Sequence, residues 1–305
     1  MEPSGILALH KPRGMTSHDC VYKLRKLFQT KKVGHTGTLD PEVDGVLPIC
    51  IGRATKVAEY MTNFDKTYIG EVTLGFTTTT EDAYGELVEQ KPVLDKFSAT
   101  EIKAVLQSFT GEITQTPPYY SAVKVNGKRL YEYARAGIEV ERPSRHVQIY
   151  ALEFIDSTKR ESEQFSFAFQ VTCSKGTYVR TLAVDIGRAL GYPAHMSKLT
   201  RTASGSFLSS DTITFEALEE MSLAERQALL YPFDRALEQF PRQIANRDLE
   251  KKIRNGAVLD ESLAFGEQPF LFYNEDGECL ALYKPHPSKA GLIKPEKLFC
   301  QSAGL

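Results

Sequence analysis

The spacing of apolar and polar positions changes several times along the chain, and each change marks an element. GILALHKP, residues 5–12, is an apolar run ending in a Pro-Gly turn and predicts a strand. Ser17 then stands where it caps a helix carrying Val21, Leu24 and Phe28 at helical spacing. After a glycine-rich loop, VLPICIG has the composition of a buried strand, ATKVAEYM that of a short helix, and KTYIGEVTLGF that of a longer strand running into the polar loop TTTTEDAYG. SATEIKAVLQSF begins with Ser98 and, three residues later, Glu101, a pair that satisfies two orphan N–H groups at a helix start. RHVQIYALEFI and EQFSFAFQVTCS alternate apolar and polar residues with the period of half-buried strands and predict antiparallel pairing. The second leads into SKGTYVRTLAVDIGRALG, a turn and an amphipathic helix with Tyr178 and Arg180 at its first turn. The expected class is α+β, with a large mixed or antiparallel sheet.

Two segments break this pattern. From about Thr114 to Arg145 the chain has Pro117-Pro118, interleaved tyrosines, six Lys/Arg and an Asn126-Gly127 hairpin signal, and few core-forming residues. It reads as an insertion projecting from the core. Its basic and aromatic side chains suit a nucleic-acid backbone and unpaired bases, although an ordinary surface hairpin has the same composition. After Gln239 the chain turns acidic, and LEKKIRNGAVLD, PFLFYNEDGECLALYKP and IKPEKLF predict a helix and a few short strands. A module of about 60 residues is near the lower limit for independent folding and is expected to lean on the main domain.

Composition narrows the function classes. The 305 residues are 42% hydrophobic and 25% charged, as in ordinary globular proteins. No window approaches the roughly 18 apolar residues of a membrane span, and the N-terminal apolar run is too short for a signal-peptide core, so a cytoplasmic protein with no membrane partner is expected. The five cysteines are odd in number and widely spaced without a CxxC pair, which argues against a disulfide framework and against zinc. The net charge of −2 hides an uneven distribution. Residues 1–35 hold seven Lys/Arg against two acids and residues 171–205 five against one, whereas residues 211–305 hold eleven against sixteen. Basic segments offset by an acidic remainder suit a protein with one polyanion-binding face.

Candidate chemistry centres on residues 34–56, GHTGTLDPEVDGVLPICIGRATK, where Asp40 is offered by a glycine-rich loop. A loop carboxylate serves as nucleophile or base. Asp-Pro-Glu is equally a helix start, with Asp as N-cap and Pro at the first helical position. His35 has no second His or Cys at metal-ligand spacing nearby. P-loop, Rossmann, HExxH and GxSxG motifs are absent, which weakens nucleotide-dependent, metal-dependent and serine-hydrolase readings.

KPRG at Lys11 to Gly14, GHTGTLDP at Gly34 to Pro41, KTY at Lys66 to Tyr68, SKGTYVRTL at Ser174 to Leu182 and LTRTASGSF at Leu199 to Phe207 occur in this order. Together they resemble the TruB-type tRNA pseudouridine synthases, which isomerise the uridine at position 55 of the tRNA T-loop. The resemblance covers about residues 5 to 235, and the C-terminal segment resembles the small PUA-type RNA-binding domain that often ends this family. It implies the α+β pseudouridine synthase fold, a mixed, mainly antiparallel central sheet flanked by helices, with a catalytic domain over 1–240 bearing a thumb-like insertion at about 114–145, and a PUA-like β domain over 245–305. The reaction breaks the bond from ribose C1′ to base N1 and remakes it to C5, so no cofactor and no metal is expected.

Residue by residue, the resemblance makes Asp40 the essential carboxylate, attacking the sugar or abstracting a ribose proton. It makes Arg180 the guanidinium partner that keeps the carboxylate ionised, and Tyr68 the ring that stacks on the flipped base. Tyr178 and Leu199 would line the uracil pocket. His35 would contact the T-loop and hold the nucleotide out of the stack, and Lys11 would support the active-site loop or contact phosphate. The implied partner is the T-stem-loop of tRNA, for a monomer with no obligate protein partner. Guide-RNA-dependent synthases share this core but carry basic tails, unlike the acidic C-terminal third here. A tRNA folding helper is the alternative outside the enzyme class, and it would not need the set Asp40, Tyr68 and Arg180.

Overall fold

The computed structural model describes residues 3–161 and 163–300. One sheet holds β1 (Gly5–Lys11), β2 (Val33–His35), β3 (Asp44–Ile51), β4 (Lys66–Leu74), β5 (Gly111–Gln115), β6 (Arg145–Glu161), β7 (Gln164–Cys173), β8 (Ala194–Ser204) and β9 (Phe207–Leu208). Its order is β1-β3-β8-β4-β7-β6-β5, with β2 beside β3 and β9 beside β8. Every pair is antiparallel except β3 with β8, which run parallel where Asp44 meets Thr200 and Gly45 meets Arg201. The expected mixed, mainly antiparallel sheet is therefore present. Helices α1 (Ser17–Leu27), α2 (Ala99–Ser108) and α3 (Val179–Ala189) cover it.

Strand periodicity decides which face each side chain joins. In the middle strands, Val72, Leu74, Phe167, Phe169 and Val171 pack in the core with Leu182, Ala183 and Ile186 of α3. The opposite face carries hydroxyl pairs, Thr67 with Thr172 at 3.0 Å and Thr73 with Ser166 at 2.8 Å. At the β1/β3 end both faces are apolar because both are covered. Leu7, Leu9, Leu47, Ile49 and Ile51 share the core of α1, whereas Ile6, Ala8, Val46 and Cys50 face a second cluster.

That second cluster is completed from the C-terminal segment. Helix α4 (Arg247–Arg254) and strands β10 (Arg242–Ile244), β11 (Leu259–Asp260), β12 (Phe270–Tyr273), β13 (Cys279–Pro285) and β14 (Leu292–Leu298) form a unit with sheet order β10-β12-β13-β14-β11. Along β12, Phe270 and Phe272 enter the unit's own core, while Leu271 and Tyr273 pack with Ile6 and Val46 of the large sheet. The Tyr273 hydroxyl donates to Asp234 Oδ2 at 2.7 Å, and Lys56 Nζ donates to the Leu298 carbonyl at 2.7 Å. The small sheet thus shares a core with the large one.

Several local expectations change. Thr16, not Ser17, caps α1, reciprocally with Asp19. The Ser17 hydroxyl is buried and bonds both the N–H and the carbonyl of Leu39, at 3.0 and 3.3 Å, so it anchors the loop before Asp40. Asp40 starts no helix: Pro41 and Glu42 form a turn closed by Val43 N–H to the Asp40 carbonyl at 3.1 Å, and the chain passes directly into β3. The helix expected over ATKVAEYM is a 3-10 turn, Gly52–Val57, followed by a short α-helix, Ala58–Thr62. The capping pair Ser98/Glu101 and the Asn126-Gly127 hairpin are as expected, the latter with both residues at positive φ, 50° and 83°. No helix among the described residues is long and apolar enough to cross a membrane.

At the parallel contact between β3 and β8, Gly45 has φ of 107°, and a Cβ there would lie 2.2 Å from the Arg201 carbonyl oxygen. Gly45→Ala must therefore part β3 from β8 and is expected to cost about 2–4 kcal/mol. Urea unfolding measures it, and a loss below about 0.5 kcal/mol would show that the two strands do not depend on this approach.

Candidate active site

The loop carrying Asp40 is held from below. Lys11, fully buried, donates from Nζ to the carbonyls of Pro12, Pro41 and Val43 at 2.9, 3.0 and 2.7 Å. Gly14 N–H adds a bond to the Pro41 carbonyl at 2.9 Å, and Ser17 holds Leu39 on the other side of Asp40. Burial lowers the Lys11 pKa, opposed by the nearby Cys20, Asp44, Asp40 and Glu42. All the bonds of its ammonium are made to backbone, so Lys11 supports the loop and presents nothing to the cavity.

Arg180 reaches Asp40 from the first turn of α3. Its Nε lies 3.0 Å from Asp40 Oδ2, with the guanidinium side chain 8% and the carboxylate 43% exposed. The other two nitrogens donate to the carbonyls of Thr80 at 2.9 Å and Tyr120 at 3.1 Å. One side chain therefore joins the Asp40 loop, the turn after β4 and the root of the insertion. Beside it Glu81 sits at φ 65°, accepts from the Thr181 hydroxyl at 2.6 Å, and has its carboxyl pKa raised by burial against the pull of Thr181 and Arg180. The start of α3 is fixed by Gln115, whose amide accepts from Tyr178 N–H at 2.9 Å and donates to the Tyr178 carbonyl at 3.1 Å.

Asp40 and Arg180 border a cavity of about 310 Å³ lined also by Gly37, Tyr68, Tyr178 and Leu199. The structure thus brings together five of the seven sequence-selected residues. Tyr68 lies on β4 and Leu199 on β8, side by side on one face with Gly70 opposite Leu199. Gly70 leaves room that a Cβ would deny, since it would lie 2.6 Å from the Phe169 ring and 3.1 Å from Leu199. Burial raises the Tyr68 phenol pKa, while a hydrogen bond and charge from Arg201 pull it down. Arg145 stands over the Tyr178 ring at 5.3 Å, within cation–π range.

His35 and Lys11 are outside the cavity lining. His35 meets the His18 ring edge-on at 5.3 Å, and its Nδ1 is buried without a partner among the described residues. Burial, with the fields of His18 and Arg201, holds its pKa below the ordinary value, so the ring is neutral at pH 7. All five cysteines are buried and unpaired, and burial pushes the Cys173 thiol at the cavity wall up to about 11, which makes it no nucleophile. No group of three or more His, Cys, Asp or Glu placed to hold a metal occurs among the described residues.

Sequence reasoning missed Lys66, Arg201 and Gln115. Lys66 is two residues from Tyr68 and Arg201 two from Leu199, so strand alternation alone would have put them on the same face. Gln115 carried no signal, because its contact with Tyr178 spans 63 positions. Lys66 Nζ donates to the carbonyls of Thr62 and Phe64, and burial, aided by the Arg201 charge, lowers its pKa to about 8.

The folded state therefore sheds the Lys66 proton near pH 8, whereas the unfolded chain keeps it to about the ordinary value of 10.5. Between these values the unfolded state binds more protons, so stability rises with pH. Urea unfolding of the wild type and Lys66→Met from about pH 7.5 to about 9.5 should show the difference moving toward the wild type by on the order of 1–2 kcal/mol. A difference that stays flat would rule out a depressed lysine.

Comparison with known proteins points to one family. The family model described as TruB family pseudouridylate synthase (N terminal domain) matches residues 25–179, and that of the tRNA pseudouridylate synthase B C-terminal domain matches residues 180–238. The chain is 69% identical over 300 residues to tRNA pseudouridine synthase B of Shouchella clausii, covering 98% of this chain and 99% of that protein. It is 55% identical over 305 residues to tRNA pseudouridine synthase B of Bacillus subtilis, covering 98% and 99%. Among solved structures it resembles one chain of a Cbf5-Nop10-Gar1 complex, with a TM-score of 0.72, 27% identity, and coverage of 98% of this chain and 85% of that one. By sequence and by fold, the chain belongs to the TruB family of pseudouridylate synthases.

Proposed function

We propose that this protein converts uridine 55 in the T-loop of tRNA to pseudouridine, with Asp40 as the group that acts on the ribose of a flipped-out uridine. The observation that carries this reading is the Asp40–Arg180 pair at 3.0 Å on the border of a cavity walled by Tyr68, Tyr178 and Leu199. Breaking C1′–N1 needs an ionised carboxylate held near the sugar. Arg180 favours that form and, with two carbonyls occupying its other nitrogens, stays in place when a substrate enters.

Tyr68 offers a ring face to the base, and stacking worth about 1–3 kcal/mol offsets the cost of unstacking the nucleotide. Tyr178 and Leu199 close the sides of the uracil pocket. His35, neutral and outside the cavity, is placed in this reading against the T-loop. Lys11 acts through the loop backbone. Lys175 at the cavity rim and the basic insertion, where Arg142 stands over the Tyr119 ring at 4.0 Å, supply charge and stacking for the phosphates and unpaired bases around the target. The small C-terminal sheet is read as a PUA-like module that holds more of the tRNA. In this reading the protein works as a cytoplasmic monomer.

The tRNA reading is favoured over a guide-RNA-dependent one because the relatives with 69% and 55% identity are named tRNA pseudouridine synthase B, whereas the chain from the Cbf5-Nop10-Gar1 complex has 27%. A folding helper without catalysis would have no use for a carboxylate paired with Arg180 at the border of a cavity.

Asp40→Asn should bind a T-stem-loop within about twofold of the wild type and lose pseudouridine formation by about 10⁴-fold or more. Tyr68→Leu should slow the reaction at least about tenfold through lost stacking alone. Both are read by tritium release from 5-labelled uridine; release by Asp40→Asn at the wild-type rate would falsify the role of Asp40. Release that persists after uridine 55 is changed to cytidine would refute the position.

A further inference from the structure

Beside Tyr68 the cavity lining carries two cations that have no anion of their own among the described residues. Lys66 and Tyr68 on β4, and Leu199 and Arg201 on β8, share one face, with Tyr68 opposite Arg201 in the register. Arg201 is 1% exposed, and its Nε donates to the Val46 carbonyl at 2.6 Å. Its Nη2 is buried and has no hydrogen-bond partner among the described residues. Neither Arg201 nor Lys66 forms an ion pair with a described carboxylate; the nearby Asp40 is engaged by Arg180. Gly37 lies in front of them, where a Cβ would be in ordinary contact at 3.8 Å from Arg201 Nη1 and 3.9 Å from Lys66 Cε. Adjacent buried like charges work against folding, and a guanidinium does not lose its proton to relieve them. Such a pair in a cleft points to an anion that arrives there.

The reading of the cavity as the uridine pocket, on which this inference rests, supplies one. Uridine enters neutral. When C1′–N1 breaks heterolytically, the electron pair leaves with N1 and spreads over O2 and O4, making the uracil ring an anion. After the ring turns, that pair forms the C5–C1′ bond, C5 gives up its proton and N1 takes one up, and the base is neutral again. A backbone phosphate is a poorer candidate, because Arg201 is almost wholly buried while Lys175 and Arg145 stand nearer solvent. We propose that Arg201, reinforced by Lys66, is a catalytic residue that donates to a ring oxygen of the transient uracil anion and so promotes cleavage of the glycosidic bond. Its free Nη2 is the donor, and it strengthens its hold only as charge develops.

The test compares stem-loops carrying uridine or 5-fluorouridine at the target, in single turnover, by loss of the starting nucleoside after digestion. Fluorine stabilises the uracil anion, so the substrate itself does part of the work assigned to Arg201. Arg201→Gln should slow uridine by about 10²–10³-fold but 5-fluorouridine at least about tenfold less, with stem-loop binding within about twofold, and Arg201→Lys should recover part of the loss. Equal losses on the two bases, or no loss, would overturn the inference. If circular dichroism shows Arg201→Gln unfolded, Lys66→Met takes its place, with a loss of about tenfold and the same dependence on the base; independence of the base there overturns it too. A wild type that converts no uridine contradicts the functional reading, whereas an active wild type with a base-indifferent Arg201→Gln contradicts only this proposal.

Discussion

The buried ammonium of Lys11 is the constraint on which the rest of the site depends. A carboxylate nearly half open to water keeps its place only if the backbone beneath it cannot shift, and three carbonyls converging on one charged donor provide that footing. Hydrogen bonds to a charged group contribute about 1.5–3 kcal/mol each, enough to hold an otherwise irregular turn. Ser17 fixes Leu39 on one side, the Pro41–Glu42 turn closes the other, and Arg180 then takes the carboxylate itself. Asp40 thus inherits its position from β1, α1 and α3 together, and disturbing any of them reaches the carboxylate.

Arg180 extends the same logic across the cleft. Because it bonds Thr80 and Tyr120 as well as Asp40, the segments that border the substrate opening meet at one guanidinium. The insertion is thereby tied to Arg180 through its backbone at Tyr120. The C-terminal sheet acts from the other side of β1 and β3, where Leu271, Tyr273 and Leu282 cover residues that would otherwise face water. Fold stability therefore depends on that sheet, and its removal exposes core belonging to the large sheet.

Much of this could be read along the chain because it is local or periodic. Ser98 with Glu101, Asn126-Gly127, and the alternation in QFSFAFQVTC each depend on neighbours within a few residues, and each appears as expected. Ser17 and Thr16 are both good caps, and only the backbone geometry separates them: Thr16 is extended and closes the box, which frees Ser17 for Leu39. Asp-Pro read as a helix start because local preference takes no account of β3 or of Lys11, whose demand for the Pro41 and Val43 carbonyls holds the loop in an irregular path.

By itself, then, the sequence determined the α+β class, the strands with their two faces, the basic segments and the acidic C-terminal third, and the ordered motifs that single out Asp40, Tyr68 and Arg180. The tertiary structure alone decided that Arg180 meets Asp40 across 140 positions, that Lys11 turns away from the cavity, and that Lys66 and Arg201 line it with no ion pair among the described residues. The reason is physical: capping and alternation arise from steric and hydrogen-bonding preferences between neighbours, whereas a charge finds its partner only when strand order and register bring distant segments within a few ångströms.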